Sequence, residues 1–181
     1  MSSDGANPRL VVPDAGNPSW TPDGRGLAYF DFDHRVVRLF DIATNKTRVL
    51  ADEGTARSMQ RFSADGQWMV YQALAETGAT QVRAVPVNST HSRLLASDLR
   101  DNYHPFFSPD GKWVYYGPDH KNLFRVPGPA QNWKSAPPQQ VTFFPESNLF
   151  LEQPQMSADG KYLYWSRRSA SSDLWIGRFE H

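Results

Sequence analysis

His104 is the residue whose type and position in this sequence most favour binding chemistry. It stands directly before Pro105, at the start of a predicted strand, and an imidazole can exchange hydrogen bonds or coordinate a metal ion. One histidine alone does not make a metal site, because such sites need several ligands. We therefore interpret His104 as a contact to a polar ligand or as a hydrogen-bonded residue, and we predict no metal, no cofactor and no catalytic residue.

Other polar side chains stand at comparable places in an internal repeat. Three of them lie near the start of the corresponding strand in the other copies: Asn17, Arg57 and Gln153, with Met59 as the alternative to Arg57 in repeat two. The loops after the following strands add Asp31, Asp33, His34, Asp119, His120, Arg167 and Arg168. These residues differ from copy to copy, as expected where a rigid scaffold presents a binding site on its loops. We predict that they line a ligand-binding surface.

Sequence features that would indicate other classes of protein do not occur. There is no GxSxG, HExxH, Walker loop, dinucleotide-binding glycine motif or EF-hand loop. Lysine plus arginine and aspartate plus glutamate both number 19, so charge favours neither nucleic acid nor an anionic membrane. Cysteine is absent, which excludes disulfides and thiolate chemistry. No apolar run approaches the roughly 20 residues of a membrane span, and the first residues do not resemble a signal peptide.

A four-residue turn signal organises the whole chain. It occurs at Thr21-Pro22-Asp23-Gly24, Ser63-Ala64-Asp65-Gly66, Ser108-Pro109-Asp110-Gly111 and Ser157-Ala158-Asp159-Gly160. The shared aspartates follow one another at steps of 42, 45 and 49 residues, and a period of this length indicates a repeat architecture. Ser or Thr, Pro, Asp and Gly in this order favour a type I turn that ends in a left-handed residue and joins two antiparallel strands. We predict a structural role for the four aspartates.

The residues that follow each turn are apolar without alternation, for example Trp113-Val114-Tyr115-Tyr116. A strand of this kind is covered on both faces, so each repeat forms a sheet between two neighbouring sheets. We predict an all-β propeller of four four-stranded antiparallel blades in one domain, 1–181, with blades near 14–50, 55–95, 101–143 and 150–179. An N-terminal strand at 8–12 is predicted to complete the fourth blade, which ends after its third strand near 173–179.

In a propeller, the loop before the first strand of a blade and the loop between its second and third strands meet at the mouth of the central channel. We call this side the channel-mouth face, and the candidate residues above belong to it. A proline-rich insertion, Pro127 to Pro138, lies on the opposite face or at the rim. We predict that this insertion, with Trp133, is a packed loop rather than a docking site.

The repeat, with its Ser-Pro-Asp-Gly turn and the strand Asn122-Leu123-Phe124-Arg125-Val126-Pro127, resembles the WD-type repeats of TolB-like β-propellers. The resemblance covers about 7–179 and implies the propeller fold and a periplasmic location. Two features depart from the family pattern: Gln60 replaces the proline of the first strand in repeat two, and four repeats are fewer than the usual six or seven. Related lyases use a His-Pro at this kind of position for a metal, and here His104 and Gln153 match it.

Since the family includes scaffold proteins, sensor domains and enzyme accessory domains, the resemblance leaves the function open. We predict a non-enzymatic binding or scaffold module that takes a protein, a peptide or a small polar ligand at the channel-mouth face. The alternatives are a lyase- or hydrolase-like enzyme with its site at His104, and a fragment or engineered propeller that self-assembles. For the assembly we predict one of two states: the four blades close alone as a monomer, or two chains form an eight-bladed homodimer with two-fold symmetry.

Overall fold

The computed structural model describes residues 9–52, 55–97, 100–145 and 149–169, and within them it shows four antiparallel sheets placed side by side. Blade one contains β1 (Ala15–Trp20), β2 (Gly26–Asp31), β3 (Val36–Asp41) and β4 (Lys46–Ala51); blade two contains β5 (Ala56–Phe62), β6 (Trp68–Leu74), β7 (Thr80–Pro86) and β8 (Arg93–Ala96). Blade three contains β9 (Asn102–Phe107), β10 (Trp113–Pro118), β11 (Phe124–Pro127) and β12 (Gln139–Gln140); blade four contains β13 (Leu149–Met156) and β14 (Leu163–Ser169).

The all-β architecture with four repeats is confirmed. Strands follow one another across each sheet in chain order, and β1, β5, β9 and β13 contact their neighbours in succession, so the first strand of each blade lies innermost. We call these four the inner strands. The only helix in the described ranges is a short 3₁₀ turn, Pro129–Gln131, and no helix there is long and apolar enough to cross a membrane.

The predicted turn forms in all four blades. In blade three the hydroxyl of Ser108 donates to the Asp110 carboxylate at 2.6 Å and accepts from the backbone N–H of Trp113 at 2.9 Å. The same carboxylate oxygen accepts from the backbone N–H of Lys112 at 3.0 Å. The turn glycines have φ between +67° and +72°, the left-handed region that glycine enters without steric cost. The aspartates of this turn are therefore structural, as predicted.

Two apolar clusters fill the spaces between the first three blades. In β6, Met69 and Tyr71 pack toward blade one, whereas Val70 packs against Val114 of blade three. All of these side chains are buried, so β6 is covered on both faces, as its run of apolar residues predicts. A third, smaller cluster joins Leu123 of blade three to Leu151 of blade four.

The N-terminal strand predicted at 8–12 is not present in residues 9–12, which have no regular structure. Leu10 is 77% exposed and Val11 is 41% exposed, so these side chains have no neighbouring sheet to pack against. Strand β1 begins only at Ala15, after Pro13, which has no backbone N–H to offer a ladder. Residue 8 and the predicted third strand of blade four, 173–179, lie outside the described residues.

The insertion between β11 and β12 is packed, as predicted. Its Gly128 N–H donates to the carbonyl of Lys112 at 2.6 Å, and the Ala130 N–H donates to the carbonyl of Gly111 at 3.1 Å. Trp133 packs edge-on against Trp68 of blade two, with ring centroids 4.6 Å apart. The insertion therefore lies at the turn end of blade three and covers the junction with blade two.

Candidate functional site

The start of each inner strand and the end of the following strand meet at one edge of the sheet. Ala15 lies opposite Asp31 in blade one, Asn102 opposite Pro118 in blade three, and Leu149 opposite Ser169 in blade four. The loops predicted for the channel-mouth face therefore share one edge in these blades, and the repeated turns lie at the other.

Each inner strand contains one non-glycine residue with positive φ, at Asn17 (50°), Met59 (58°), His104 (52°) and Gln153 (49°). The ladder to the second strand of the blade shifts register at each of these places, which marks a β-bulge. A left-handed residue of this type costs roughly 1–2 kcal/mol, so a feature repeated four times has a consistent role in the fold. Three of the four residues, Met59, His104 and Gln153, line one small cavity between the inner strands.

This pattern decides between two candidates in blade two. Met59, and not Arg57, is the counterpart of His104, and the side chain of Arg57 lies outside what the structure describes. The signal that identifies Met59 is present in the sequence, since each bulge residue stands six positions before the aspartate of its turn. Arg57 stands eight positions before Asp65, at a separate register shift between Ala56 and Ser58.

Three side chains meet where blade three contacts blade four. The His104 Nε2 atom lies 3.1 Å from Glu152 Oε2 and 3.2 Å from His120 Nδ1, and His120 Nδ1 lies 3.7 Å from Glu152 Oε2. Their ligand atoms all lie within 4.8 Å of one another, so these residues could hold a metal ion. The prediction of no metal site was based on His104 being a single possible ligand. In the structure two further possible ligands, His120 and Glu152, lie beside it.

His104 is carried by the inner strand β9, His120 by the loop after β10, and Glu152 by the inner strand β13. The backbone N–H of Leu151 donates to the carbonyl of His120 at 2.5 Å, and this bond fixes β13 against the loop. His104 and the loop residue His120 were both predicted from the sequence to lie at the channel-mouth face, whereas Glu152 was not. Glu152 was missed because it precedes the bulge residue Gln153 by one position and has no acidic counterpart in the other repeats.

Burial sets the charge of the two imidazoles. The side chain of His104 is 8% exposed, and burial lowers its pKa; the nearby ring of His120 lowers it further, while Glu152 acts in the opposite direction. Burial also lowers the pKa of His120, and the carboxylate of Glu152 opposes this shift. Because histidine normally titrates near pH 6.5, both rings are neutral at pH 7 and each has a lone pair available.

The remaining predicted residues of blades three and four are Asp119, Gln153, Arg167 and Arg168, and Arg168 contacts this cluster. Arg168 Nη2 lies 3.3 Å from Glu152 Oε1, and its guanidinium lies over the ring of Phe150. Gln153 is exposed beside the cluster, and Asp119 is exposed on the loop that carries His120. The side chain of Arg167 lies outside what the structure describes.

Asp31 and His34 form a separate group in blade one. The Asp31 carboxylate accepts from Arg38 Nε at 2.7 Å and from the backbone N–H of His34 at 3.0 Å, and it lies 2.9 Å from His34 Nδ1. Burial by itself raises the pKa of Asp31, but these hydrogen bonds outweigh burial and hold the pKa far below its usual range. Arg38 was not predicted as a site residue, and it anchors this group.

Replacing Asp31 by asparagine is expected to lower the free energy of unfolding by about 1–3 kcal/mol at pH 7, because the Arg38 guanidinium loses its charged partner. The pKa of Asp31 is depressed in the folded protein, so the carboxylate stabilises the fold above its unfolded pKa of about 4. This stabilisation is lost as the pH falls toward the folded pKa. The difference in free energy of unfolding between the parent and Asp31→Asn should therefore decrease from pH 5 downward, as measured by urea unfolding at several pH values.

Asp33→Asn is the matched control, because Asp33 is exposed on the same loop and its stability effect should stay within about 0.5 kcal/mol. If the difference in free energy of unfolding between the parent and Asp31→Asn were equal at pH 7 and pH 3, the assigned ion pair would be contradicted.

Comparisons with known proteins support the fold. The solved structure of TolB from Acinetobacter baumannii matches with a TM-score of 0.76 and 22% identity, over 94% of this chain and 43% of that one. Oligogalacturonate lyase in complex with manganese matches with a TM-score of 0.67 and 15% identity, over 86% of this chain and 47% of that one. At these identities the likeness shows the fold alone.

A curated relative, the uncharacterized protein Atu1656 of Agrobacterium fabrum (strain C58), is 25% identical over 134 residues, which are 70% of this chain and 44% of that protein. The chain thus spans less than half the length of each of these relatives. The model of the TolB beta propeller domain matches residues 1–179. With its four repeats, its shared turn and its bulged inner strands, this chain therefore belongs to the TolB β-propeller domain family.

Proposed function

We propose that this propeller is a non-enzymatic binding module that holds an extended peptide segment of a partner protein at its channel-mouth face. The observation that carries the proposal is an aromatic side chain presented to solvent there: Phe32 is 55% exposed on the loop between β2 and β3. Aromatic and arginine side chains supply most of the binding energy in protein interfaces, and Arg35 lies on the same loop.

Phe32 borders an open cleft of about 470 Å³ that also contacts Phe30, Arg35, Ala56 and Ser58. The volume lies within the roughly 300–1,000 Å³ of small-ligand pockets, so it accommodates one or two side chains of a peptide. The cleft is formed by the blade-one loop and the start of the blade-two inner strand. A partner that fills it therefore contacts two blades.

The ring of Phe32 is held in place before any partner binds. It packs edge-on against Phe30, with centroids 5.1 Å apart, and it lies directly over Gly16. A Cβ atom at Gly16 would come within 2.6 Å of the Phe32 ring, so a side chain at residue 16 would displace the ring from this position. A preformed aromatic contact loses little conformational entropy on binding, which favours affinity.

Selection from a displayed peptide library tests this proposal. Peptides that bind the parent protein should bind Phe32→Ala at least about 30-fold more weakly, the loss expected for a hot-spot residue of about 2 kcal/mol. Affinities are measured by fluorescence anisotropy with the selected peptides. Tyr162→Ala is the matched control, since Tyr162 is 69% exposed beside the blade-four turn, at the other edge of the sheet.

Peptides that bind both variants as well as the parent, or a library that yields no binder, would overturn the peptide-binding proposal. A small polar ligand whose affinity is unaffected by Phe32→Ala but lost in Asp31→Asn would place a different ligand at the same face.

A lyase- or hydrolase-like enzyme is the second candidate, and one observation favours it: the convergence of His104, His120 and Glu152. An enzyme of this class would turn over polysaccharide, ester or peptide substrates and would lose that turnover in His104→Ala. Turnover with this dependence would overturn the non-enzymatic proposal.

A further inference from the structure

We propose that His104, His120 and Glu152 bind one divalent transition metal ion of the zinc class, and that this ion links blade three to blade four. The inference goes beyond the proposed peptide binding and does not depend on it. It rests on the separations of three ligand atoms, on their chemistry and on the contacts that hold them in place.

The three atoms have the separations of one face of a tetrahedral zinc site. With zinc–nitrogen and zinc–oxygen distances of about 2.0–2.1 Å, neighbouring ligand atoms in a tetrahedron lie about 3.3 Å apart. In this structure the three separations are 3.1 Å, 3.2 Å and 3.7 Å. An ion can therefore contact His104 Nε2, His120 Nδ1 and Glu152 Oε2 at normal bond lengths with only small side-chain adjustments.

A single proton cannot join all three atoms. If His104 Nε2 carries the proton, it donates to Glu152 Oε2 at 3.1 Å or to His120 Nδ1 at 3.2 Å. If His120 Nδ1 carries it, His104 Nε2 accepts, and the same lone pair then faces the Glu152 carboxylate. A single cation accepts a lone pair from each of the three atoms at once.

The ligand set indicates which ions fit. Two imidazole nitrogens and one carboxylate oxygen form the three-ligand set of open zinc sites, which leave a fourth position for water or another ligand. Calcium and magnesium prefer a shell of oxygen ligands, so they suit this set poorly. Glu152 and His120 remain about one quarter exposed, so the fourth position is open to the channel-mouth face.

Neighbouring groups hold the ligands in orientation, as the outer shell of a metal site does. The ring of Tyr103 stacks on His120 with centroids 3.6 Å apart. Arg168 contacts Oε1 of Glu152 at 3.3 Å, which leaves Oε2 facing the two imidazoles. The bond from the Leu151 N–H to the His120 carbonyl fixes the loop relative to β13.

Such an ion would join β13 to blade three, in addition to the Leu151 bond and the Leu123–Leu151 contact. An ion that binds the folded state and not the unfolded chain raises the melting temperature in proportion to the logarithm of its concentration. The proposal therefore predicts two separate effects of zinc, a stoichiometric binding event and a stabilisation of the fold.

The test uses the 181-residue chain after treatment with EDTA and titrates it with zinc chloride by calorimetry. We expect about one zinc per chain, a higher melting temperature with zinc than with EDTA, and visible d–d absorption of tetrahedral type when cobalt(II) replaces zinc. In His104→Ala the affinity for zinc should fall at least about 100-fold, beyond the 10–100-fold range typical of outer-shell changes. The cobalt band should disappear.

Glu152→Gln covers the case in which His104→Ala does not fold, because it keeps the size of the side chain and is partly exposed. It should lose zinc affinity and the zinc-dependent melting shift, with circular dichroism unchanged. His91→Ala is the matched control, since His91 is exposed between β7 and β8 and should bind zinc like the parent. No zinc uptake by the parent at micromolar concentration, or parent-like uptake by Glu152→Gln, would overturn the proposal.

Discussion

Replacing Trp133 by alanine is expected to lower the free energy of unfolding by about 2–3 kcal/mol, at or below the lower end of the range for large aromatic residues in cores, because the indole is partly buried. The indole packs against the cluster between blades two and three, with ring centroids 4.6 Å from Trp68 and 6.4 Å from Phe107. The Arg93 guanidinium also lies 4.9 Å from the ring. Alanine would leave a space at the junction of two blades, and urea unfolding followed by tryptophan fluorescence and circular dichroism measures the loss.

Lys134→Ala is the control for this substitution, because Lys134 is the exposed next residue of the insertion and its loss should change stability by less than about 0.5 kcal/mol. Trp133→Phe should give an intermediate value, since it keeps an aromatic contact with Trp68. If Trp133→Ala unfolds at the same urea concentration as the parent, the insertion does not hold the two blades together.

Replacing Gln60 by leucine is expected to lower the free energy of unfolding by about 2 kcal/mol, although the volume of the side chain hardly changes. Gln60 is fully buried, and its amide donates to the backbone carbonyl of Asn17 and, at 3.4 Å, to that of Ala28. Leucine would leave these carbonyls without this donor, and this loss exceeds the gain from removing Gln60 Oε1, a buried atom that has no hydrogen-bond partner among the described residues. The loss in free energy of unfolding should be the same at every pH between 5 and 9, because no titrating group takes part in these hydrogen bonds.

Gln67→Leu provides the comparison, since Gln67 is exposed at the turn of the same blade and its side chain contributes little to folding. Equal stability of Gln60→Leu and the parent would show that the amide does not join blade one to blade two.

The sequence by itself determined the elements whose cause is local. The repeated turn, with Ser or Thr first and Asp-Gly last, forms in every blade because hydroxyl, carboxylate and backbone groups within five residues satisfy one another, and because glycine adopts the required φ easily. The strand that contains Val70 and Tyr71 is buried on both faces because its side chains alternate between two neighbouring sheets, and its unbroken apolar run already indicates this. Together with the repeat spacing, these buried strands indicate the propeller fold.

The repeat spacing also carries details of the inner strands. The six-residue distance from bulge residue to turn aspartate identifies Met59, rather than Arg57, as the counterpart of His104. In the sequence, the replacement of the proline by Gln60 is only a departure from the repeat pattern. Its function as a buried donor to blade one became visible once the carbonyls of Asn17 and Ala28 were located.

Only the tertiary structure decided which polar side chains meet. His104 and Glu152 are 48 residues apart, and His120 lies on a loop between them. Their approach depends on the bulge in each inner strand, on the angle between blades three and four, and on the bond from Leu151 to His120. None of these is a local property of the chain. The same holds at 9–12, where an apolar run predicts a strand, yet a strand forms only where another strand offers hydrogen bonds and a face to pack against.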